Sequence, residues 1–299
     1  MPERDKQNKC SNLLSFDIEG FIEASHDSLG VPRGYTSEEL EEEEIEVNTL
    51  EILHLLADFD QKATFFILGR IARDMPSLVR QIAEAGHEIA CHSFYHRRLL
   101  HFSRPEVAQF LRDAKHLLED VSGKPIYGFR APDFSINRSN LWVFEILREL
   151  SFVYDSSVYP TGLNSAYGIS DFSVLPFRLP NELIEVPLST IRILAQNLPF
   201  GGGGYLRLYP LFLTKLFFRA TNRKGAPAVL YLHPSEMGKV VRMISEIGWL
   251  RKFRTYVGVQ SVQRKLRSLL ESFTFEPIVD YLQRGDACLE TGDAWRAER

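Results

Sequence analysis

The chain has 299 residues, of which 44% are hydrophobic and 25% are charged, so its composition is typical of a globular protein and argues against disorder. The formal net charge of −4 lacks the basic excess of nucleic-acid-binding domains, and we expect no nucleic-acid partner. The cysteines Cys10, Cys91 and Cys288 are too few and too scattered for a disulfide framework. The polar N-terminus and the lack of a long apolar run predict a cytoplasmic protein without a signal peptide or a transmembrane helix.

In the first half of the chain, short apolar runs alternate with amphipathic stretches. Residues 13–17 predict a buried strand, residues 20–47 predict an irregular segment with a solvated acidic run, and Asn48 with Glu51 predicts the start of a helix. Further strands are predicted over 62–68, 88–91, 125–130 and 151–155, and further helices over 77–86, 103–123 and 139–150. This alternation favours an α/β fold with a mostly parallel sheet, either a barrel or an open sheet.

The second half of the chain contains a run of four glycines, Gly201 to Gly204. The run lacks the lysine and the spacing of a phosphate-binding loop, so a nucleotide site is not expected. It predicts instead a close approach of the backbone to a substrate or to another part of the protein. Residues 226–233 predict a late buried strand that ends at His233, and the chain is predicted to be helical from about residue 240.

Two histidines, His92 and His96, directly follow the strand predicted over 88–91. Their four-residue spacing places both imidazoles on one side of a helical turn, which suits the binding of one metal ion. Ser93 stands where a zincin motif has its glutamate, so a general base must come from elsewhere in the chain. A histidine pair at this spacing is also common on surfaces and in cores that bind no metal.

Other polar side chains also stand at the ends of predicted strands. Asp17 and Glu19 alternate at the end of the first strand and are expected to point to the same side. Arg130 and His233 end two later strands. Taken singly, the two acids are better explained as solvated residues at a loop entry, and His233 is better explained as a satisfied core histidine. In an α/β barrel, however, the carboxyl ends of the strands meet, and the whole set is then brought together.

This set of motifs resembles that of the polysaccharide deacetylases, carbohydrate esterase family 4, over roughly residues 12–283. The stretches GHEIACHSFYHR, GFRAPDFSI, GGGGYLR and YLHPSEM are also similar to a subgroup linked to exosortase and exopolysaccharide loci. One departure is that Ile18 separates Asp17 from Glu19, whereas the commonest family motif has adjacent aspartates. The matching motif residues are Asp17/Glu19, His92/His96, Arg130/Pro132 and Leu232/His233.

The resemblance implies a fold, an activity and a role for each motif residue. The implied fold is a distorted (β/α) barrel with mostly parallel strands, and the activity is metal-dependent removal of an N-acetyl group from an amino sugar of a surface polysaccharide or its precursor. The implied domains are a catalytic domain over 12–240, a helical extension packed on it over 241–285, and polar tails at 1–11 and 286–299. The resemblance implies that Asp17 is the general base, that Arg130 orients it and that His233 is the proton donor. It implies that one divalent ion is bound by Glu19, His92 and His96; zinc is the default, and iron, cobalt and nickel are alternatives. The implied substrate contacts are Pro132, Leu232, Tyr205 and Arg207.

Several alternatives stay open on the sequence. One is an amidohydrolase that acts on a small cyclic amide, another is an inactive carbohydrate-binding relative, and a third is a non-haem iron oxygenase, which the helix–strand alternation disfavours. The sugar and the oligomeric state are not determined. Residues 211–220 combine an apolar stripe with a basic edge, which suits either a peripheral contact with the inner face of a membrane or, as the favoured interpretation, a core helix.

Overall fold

The structure is a computed structural model that describes residues 11–32, 35–163, 168–237, 243–244, 248–284 and 289. The two predicted polar tails lie almost wholly outside these described residues. The strands are β1 (Asn12–Ile18), β2 (Thr64–Ile67), β3 (Glu88–Cys91), β4 (Gly128–Phe129), β5 (Tyr154–Asp155), β6 (Phe177–Arg178), β7 (Ile184–Glu185), β8 (Thr190–Ile193), β9 (Gln196–Pro199), β10 (Val229–Leu232) and β11 (Phe275–Glu276).

The strands form one large sheet in the order β10-β1-β2-β3-β4-β5-β7-β6, and β11 also pairs with β1. All of these pairings are parallel except that between β6 and β7. Among the described strands, β10 and β6 at the two ends of this order do not pair with each other, so the barrel is open on one side. The predicted fold class, a distorted α/β barrel with mostly parallel strands, is confirmed. A separate hairpin is formed by β8 and β9.

The helices follow the strands in alternation over most of the chain. In a barrel of this kind the carboxyl ends of the parallel strands lie at one end of the sheet. The helices are α1 (Phe21–Leu29), α2 (Glu38–Asp58), α3 (Gly69–Asp74), α4 (Pro76–Glu84), α5 (Arg104–Ser122), α6 (Val143–Glu149), α7 (Gly203–Leu208), α8 (Leu211–Asn222), α9 (Trp249–Tyr256), α10 (Val262–Ser272) and α11 (Ile278–Gln283).

Strand β1 pairs with β2, β10 and β11, and all seven of its residues are buried. Its alternating side chains enter two different hydrophobic clusters: Leu14 and Phe16 pack in the larger one, whereas Leu13 packs in a second cluster with Tyr231 of β10. A parallel strand that is buried on both faces reads as a continuous apolar run, which is why residues 13–17 could be recognised as a strand from the sequence.

The acidic segment before residue 48 is where the sequence-based prediction of secondary structure was wrong. Residues 20–47 were expected to be irregular, but they contain α1 and the first half of α2, which is capped by the Ser37 side chain accepting from the backbone N–H of Leu40. Acidic residues in the first turn of α2 interact favourably with the helix dipole. Asn48, the predicted start of this helix, is fully buried in its interior. By contrast, the helix predicted over 103–123 is present as α5, and a capping box of Ser103 and Glu106 begins it.

The described part of the predicted C-terminal extension shares the main hydrophobic core. Val262 and Leu266 of α10 lie in the same cluster as Leu14 of β1. The helical prediction for this region missed β11, which pairs with Asn12 and Leu13 at the start of β1. The predicted domain boundaries themselves stay predictions.

Helix α8 does not bury the whole apolar stripe that the sequence predicted. Phe217 and Phe218 are buried, but Phe212 is 72% exposed and Leu216 is 50% exposed. The favoured interpretation of this stripe as a core-facing surface is therefore wrong for Phe212 and Leu216. No helix in the described ranges is both long and apolar enough to cross a membrane.

Candidate active site

A cavity of about 670 Å³ lies at the carboxyl ends of the central strands. This volume is in the range of small-molecule sites. Asp17 and Glu19 enter the cavity from the end of β1, His92 and His96 follow β3, and His233 follows β10. The parallel pairing of these strands explains why residues far apart in the sequence meet at this edge of the sheet.

Asp17 and Arg130 form a buried ion pair beside the cavity. Nη1 of Arg130 donates to Oδ1 of Asp17 at 2.7 Å and to the hydroxyl of Ser15 at 2.8 Å. The remaining guanidinium donors bind Ser156, with Nε donating to its carbonyl and Nη2 to its hydroxyl. Phe66 packs against the guanidinium at 4.1 Å from its ring centroid. All three guanidinium nitrogens of Arg130 therefore donate hydrogen bonds within the protein, which fixes the side chain. Asp17 Oδ1 is thus bound by a planar, permanently charged donor.

The turn that follows Arg130 is held by residues at the end of the neighbouring strand, β5. The backbone N–H of Ala131 donates to the Ser157 hydroxyl at 2.8 Å, and that hydroxyl donates to Asp155 at 2.7 Å. Asp155 is fully buried and its side chain meets that of Glu185 on β7. Burial, followed by the charge of the neighbouring Asp155, raises the pKa of Glu185 well above its usual range, because two carboxylates in contact disfavour a second charge.

Glu19, His92 and His96 converge on one point of the cavity wall. Oε2 of Glu19 lies 3.1 Å from Nε2 of His92 and 3.0 Å from Nε2 of His96. One ligand atom of each residue lies within 4.8 Å of the others. Nδ1 of His92 lies 2.8 Å from the carbonyl oxygen of Arg130, which can only accept, so Nδ1 carries the proton and Nε2 is available to a metal. Two imidazoles and a carboxylate fit a catalytic divalent ion.

The electrostatics of these three residues also suit a cation. Burial by itself raises the pKa of Glu19, but the charge of His96 and the close contacts with both histidines lower it well below its usual range. Burial lowers the pKa of His96, but the ion pair with Glu19 outweighs it and raises the pKa to about 9. The carboxylate therefore stays negative and needs a positive partner, which is either an imidazolium or a metal ion.

The loop that carries His96 is anchored by Glu23 of α1. Oε1 of Glu23 accepts the backbone N–H of His96 at 3.3 Å, and its Oε2 accepts Nη2 of Arg70 at 2.6 Å. The backbone N–H of Glu23 in turn donates to Glu41 of α2 at 2.7 Å. The acidic segment that was expected to be irregular thus supplies the support for a residue of the histidine pair.

His233 faces the carboxylates from the end of β10, the strand that pairs with β1. Its Nε2 lies 3.5 Å from Oε1 of Glu19 and 3.9 Å from Oδ2 of Asp17, while its Nδ1 lies 3.1 Å from Oε2 of Glu236. Burial lowers the pKa of His233, but the hydrogen bond with Glu236 and the charge of Glu19 raise it to about 9. The ring can therefore carry a proton at neutral pH and present it at Nε2.

The four residues predicted to contact substrate fall into two groups. Tyr205 and Arg207 line the cavity, although Nε of Arg207 lies 3.3 Å from Oε1 of Glu236. Pro132 is buried and Leu232 is fully buried, and the cavity lining does not include either residue. Leu232 alternates away from the cavity because it packs in the main hydrophobic core, and the cavity wall next to Pro132 is formed by Ala131 and Asp133.

Two residues around the site were missed in the sequence. Glu236 stands three residues after His233, a spacing that brings side chains together on a helical turn, and this signal was available. Glu23 left no comparable signal, because it is 73 positions away from His96 in the chain. Only the packing of α1 against the loop after β3 brings them together.

Comparison with known proteins agrees with this geometry. Residues 38–149 match the sequence profile of the family described as polysaccharide deacetylase. This segment belongs to the polysaccharide deacetylase family. Residues 156–283 match a second profile, described as a domain of unknown function (DUF3473). The deacetylase segment contains His92, His96 and Arg130, the second segment contains His233, and Asp17 precedes both.

Similar proteins include named deacetylases. A chitooligosaccharide deacetylase of Sinorhizobium fredii is 36% identical over 72 residues, which cover 24% of this chain and 34% of that protein. A peptidoglycan-N-acetylglucosamine deacetylase of Bacillus cereus is 31% identical over 104 residues, which cover 35% of this chain and 47% of that protein. The chain thus matches less than half the length of either relative.

Solved structures share the fold of the deacetylase segment and its surroundings. A crystal structure described as a polysaccharide deacetylase of Mycobacterium smegmatis superposes with a TM-score of 0.60 at 21% identity, covering 100% of this chain and 97% of the other. The allantoinase PuuE superposes with a TM-score of 0.55 at 16% identity, covering 90% and 87%. At these identities the likeness shows the fold alone.

Proposed function

We propose that the chain is a metal-dependent hydrolase that removes the N-acetyl group of an amino sugar in a surface polysaccharide or its precursor. The observation that carries the proposal is the meeting of three units in one cavity: the Asp17–Arg130 pair, the Glu19/His92/His96 cluster, and His233. Amide hydrolysis needs a base, an electrophile and a proton donor, and these units match the three requirements. The named deacetylase relatives support an N-acetylated saccharide as the substrate class.

Glu19, His92 and His96 are the residues that would hold the metal. Zinc is the expected ion for two imidazoles and one carboxylate, with iron, cobalt or nickel as alternatives. When bound, such an ion supplies Lewis-acid polarisation of the amide carbonyl and makes a bound water more acidic.

The protein side chains supply the proton transfers. Asp17 accepts a proton from the attacking water, and Arg130 holds this carboxylate in place through Oδ1. His233 donates the proton on Nε2 to the sugar nitrogen as the carbon–nitrogen bond breaks, so that a neutral amine leaves. The water oxygen ends in acetate. Tyr205 is retained as a proposed substrate contact because it lines the cavity.

The proposal is tested by measuring acetate release from purified, zinc-loaded protein with N-acetylglucosamine oligomers, peptidoglycan fragments and allantoin. We expect acetate from at least one of the N-acetylated saccharides and no turnover of allantoin. Ring opening of allantoin without acetate release from any saccharide would support the cyclic-amide alternative. A zinc-loaded protein that turns over none of these substrates would support the inactive carbohydrate-binding alternative.

We further propose that α8 contacts an anionic membrane surface without crossing it. The support is the exposed pair Phe212 and Leu216 at a four-residue spacing, with the exposed Arg223 beyond them. Lys215, which the sequence placed on the basic edge of α8, is turned toward α10 instead. Its Nζ donates to Ser268 at 2.9 Å and to Ser272 at 2.8 Å. The predicted location in the cell also stays a prediction.

The membrane proposal predicts that the protein sediments with vesicles containing anionic lipid at low salt, and that the double variant Phe212→Ser/Leu216→Ser does not. The control is Leu194→Ser, which removes a 96% exposed leucine from the tip of the β8–β9 hairpin and should leave sedimentation unchanged. Failure of the unmodified protein to sediment would contradict the proposal, as would equal sedimentation of the double variant.

A further inference from the structure

The side chain of Glu236 holds His233 at two points. Its Oε2 lies 3.1 Å from Nδ1 of the His233 ring and also accepts the backbone N–H of His233 at 3.2 Å. Because a carboxylate can only accept at neutral pH, Nδ1 carries a proton and Nε2 is the ring nitrogen directed at Asp17 and Glu19. One buried carboxylate thus fixes both the position and the orientation of this ring.

The carboxylate of Glu236 also contacts Arg207, on the side that faces away from His233. Nε of Arg207 lies 3.3 Å from Oε1, the oxygen that does not contact the ring. Nη1 of Arg207 donates to the carbonyl oxygen of Thr255 in α9, so the guanidinium is anchored on a second helix. His233, Glu236 and Arg207 therefore form a chain of alternating charge that runs from the cavity into the protein.

The absence of side chains in the four-glycine loop makes room for the carboxylate of Glu236. A Cβ on Gly203 would stand 1.8 Å from Oε2 of Glu236, and a Cβ on Gly202 would stand 2.4 Å from the hydroxyl of Tyr231. Gly204 differs, because a Cβ there would meet only Nη2 of Arg207 at an ordinary 3.6 Å. The close approach predicted for the glycine run is therefore made to the protein itself, at the support of His233.

We infer that Glu236, with Arg207 behind it and Gly203 beside it, positions His233 to donate a proton to the departing nitrogen. Glu236 is a positioning residue that acts through His233, and the inference rests on the proposed function. It also assigns a role to the segment that matches the domain of unknown function, because all four residues lie within residues 156–283. The deacetylase segment supplies the histidine pair, and the second segment completes the site with an oriented acid.

The test compares two substrates that differ in their need for an acid. An amino sugar leaves as an amine and needs a proton, whereas 4-nitrophenyl acetate releases a stable phenolate that needs none. We expect Glu236→Gln to lower kcat on an N-acetylglucosamine oligomer by roughly 10–100-fold, which is part of the rate contribution of a positioned general acid. The same variant should change the rate of ester hydrolysis by less than about 3-fold. Glu236→Asp should recover part of the loss on the amide.

Two further measurements keep the inference testable if Glu236→Gln folds poorly or the ester is not a substrate. Gly203→Ala should reduce amide turnover because its methyl group occupies the carboxylate position, while the matched Gly204→Ala should not. In a double-mutant cycle on the amide, Glu236→Gln should cost nothing further once His233→Ala is present.

Distinct outcomes separate this inference from the proposed function. Equal losses on amide and ester, additive effects in the cycle, or equal losses in the two glycine variants would show that Glu236 has only a structural role. An unmodified protein that releases no acetate from any saccharide would instead contradict the proposed function.

Discussion

Asp17→Asn is expected to lower the rate of acetate release by about 10²–10⁴-fold, the range typical of a lost general base, while the metal stays bound. The amide is nearly isosteric with the carboxylate, but it cannot accept a proton at neutral pH. Asp17 is separate from the metal cluster, because its Oδ1 binds Arg130 at 2.7 Å whereas Glu19 supplies the carboxylate that lies between the two histidines. The loss should therefore fall on kcat, with metal content unchanged.

The measurement is acetate release together with elemental analysis of the same Asp17→Asn preparation. A matched control is Asp133→Asn, which removes another carboxylate from the cavity lining, one that is paired with Arg98 at 2.8 Å. We expect this control to retain most of its activity and all of its metal. Near-normal turnover by Asp17→Asn would show that Asp17 is not the base, and loss of metal from it would make Asp17 a ligand instead.

Removal of either histidine of the pair is expected to abolish metal binding after dialysis. His92→Ala and His96→Ala each leave one imidazole and one carboxylate, which is too few ligands for a stable zinc site. Both histidines lie about 3 Å from the same oxygen of Glu19, and each supplies one of the three ligand atoms that lie within 4.8 Å of one another. Catalytic activity should be lost with the metal.

Elemental analysis of the dialysed variants decides this point independently of activity. The control is His54→Ala, since the side chain of His54 is 77% exposed on α2 and its Nδ1 lies 3.8 Å from Oε1 of Glu51. We expect this variant to keep the metal content of the unmodified protein. If both His92→Ala and His96→Ala also keep it, the assignment of the metal site is wrong.

The sequence alone located the acids and histidines at the centre of the site, Asp17, Glu19, His92, His96 and His233, all of which line the cavity. Asp17, His92, Arg130 and His233 each stand where a short apolar run gives way to polar residues, and this is a local pattern. The runs are buried parallel strands, whose carboxyl ends must meet at one edge of the sheet. Local pattern and this topological rule were therefore sufficient to predict that the set comes together.

Only the tertiary structure shows which side chains support the residues of the site and which apolar side chains of a helix are buried. Helical periodicity placed Phe212 and Phe217 on one stripe of α8, but Phe217 packs on Phe200 whereas Phe212 is left exposed. The ion pair of Glu236 with Arg207 forms where the backbone of the glycine run lies against the Glu236 carboxylate, and a Cβ on Gly203 would occupy that space. Such contacts join elements that are distant in sequence, and their distances follow from packing of the whole chain, which a local pattern does not encode.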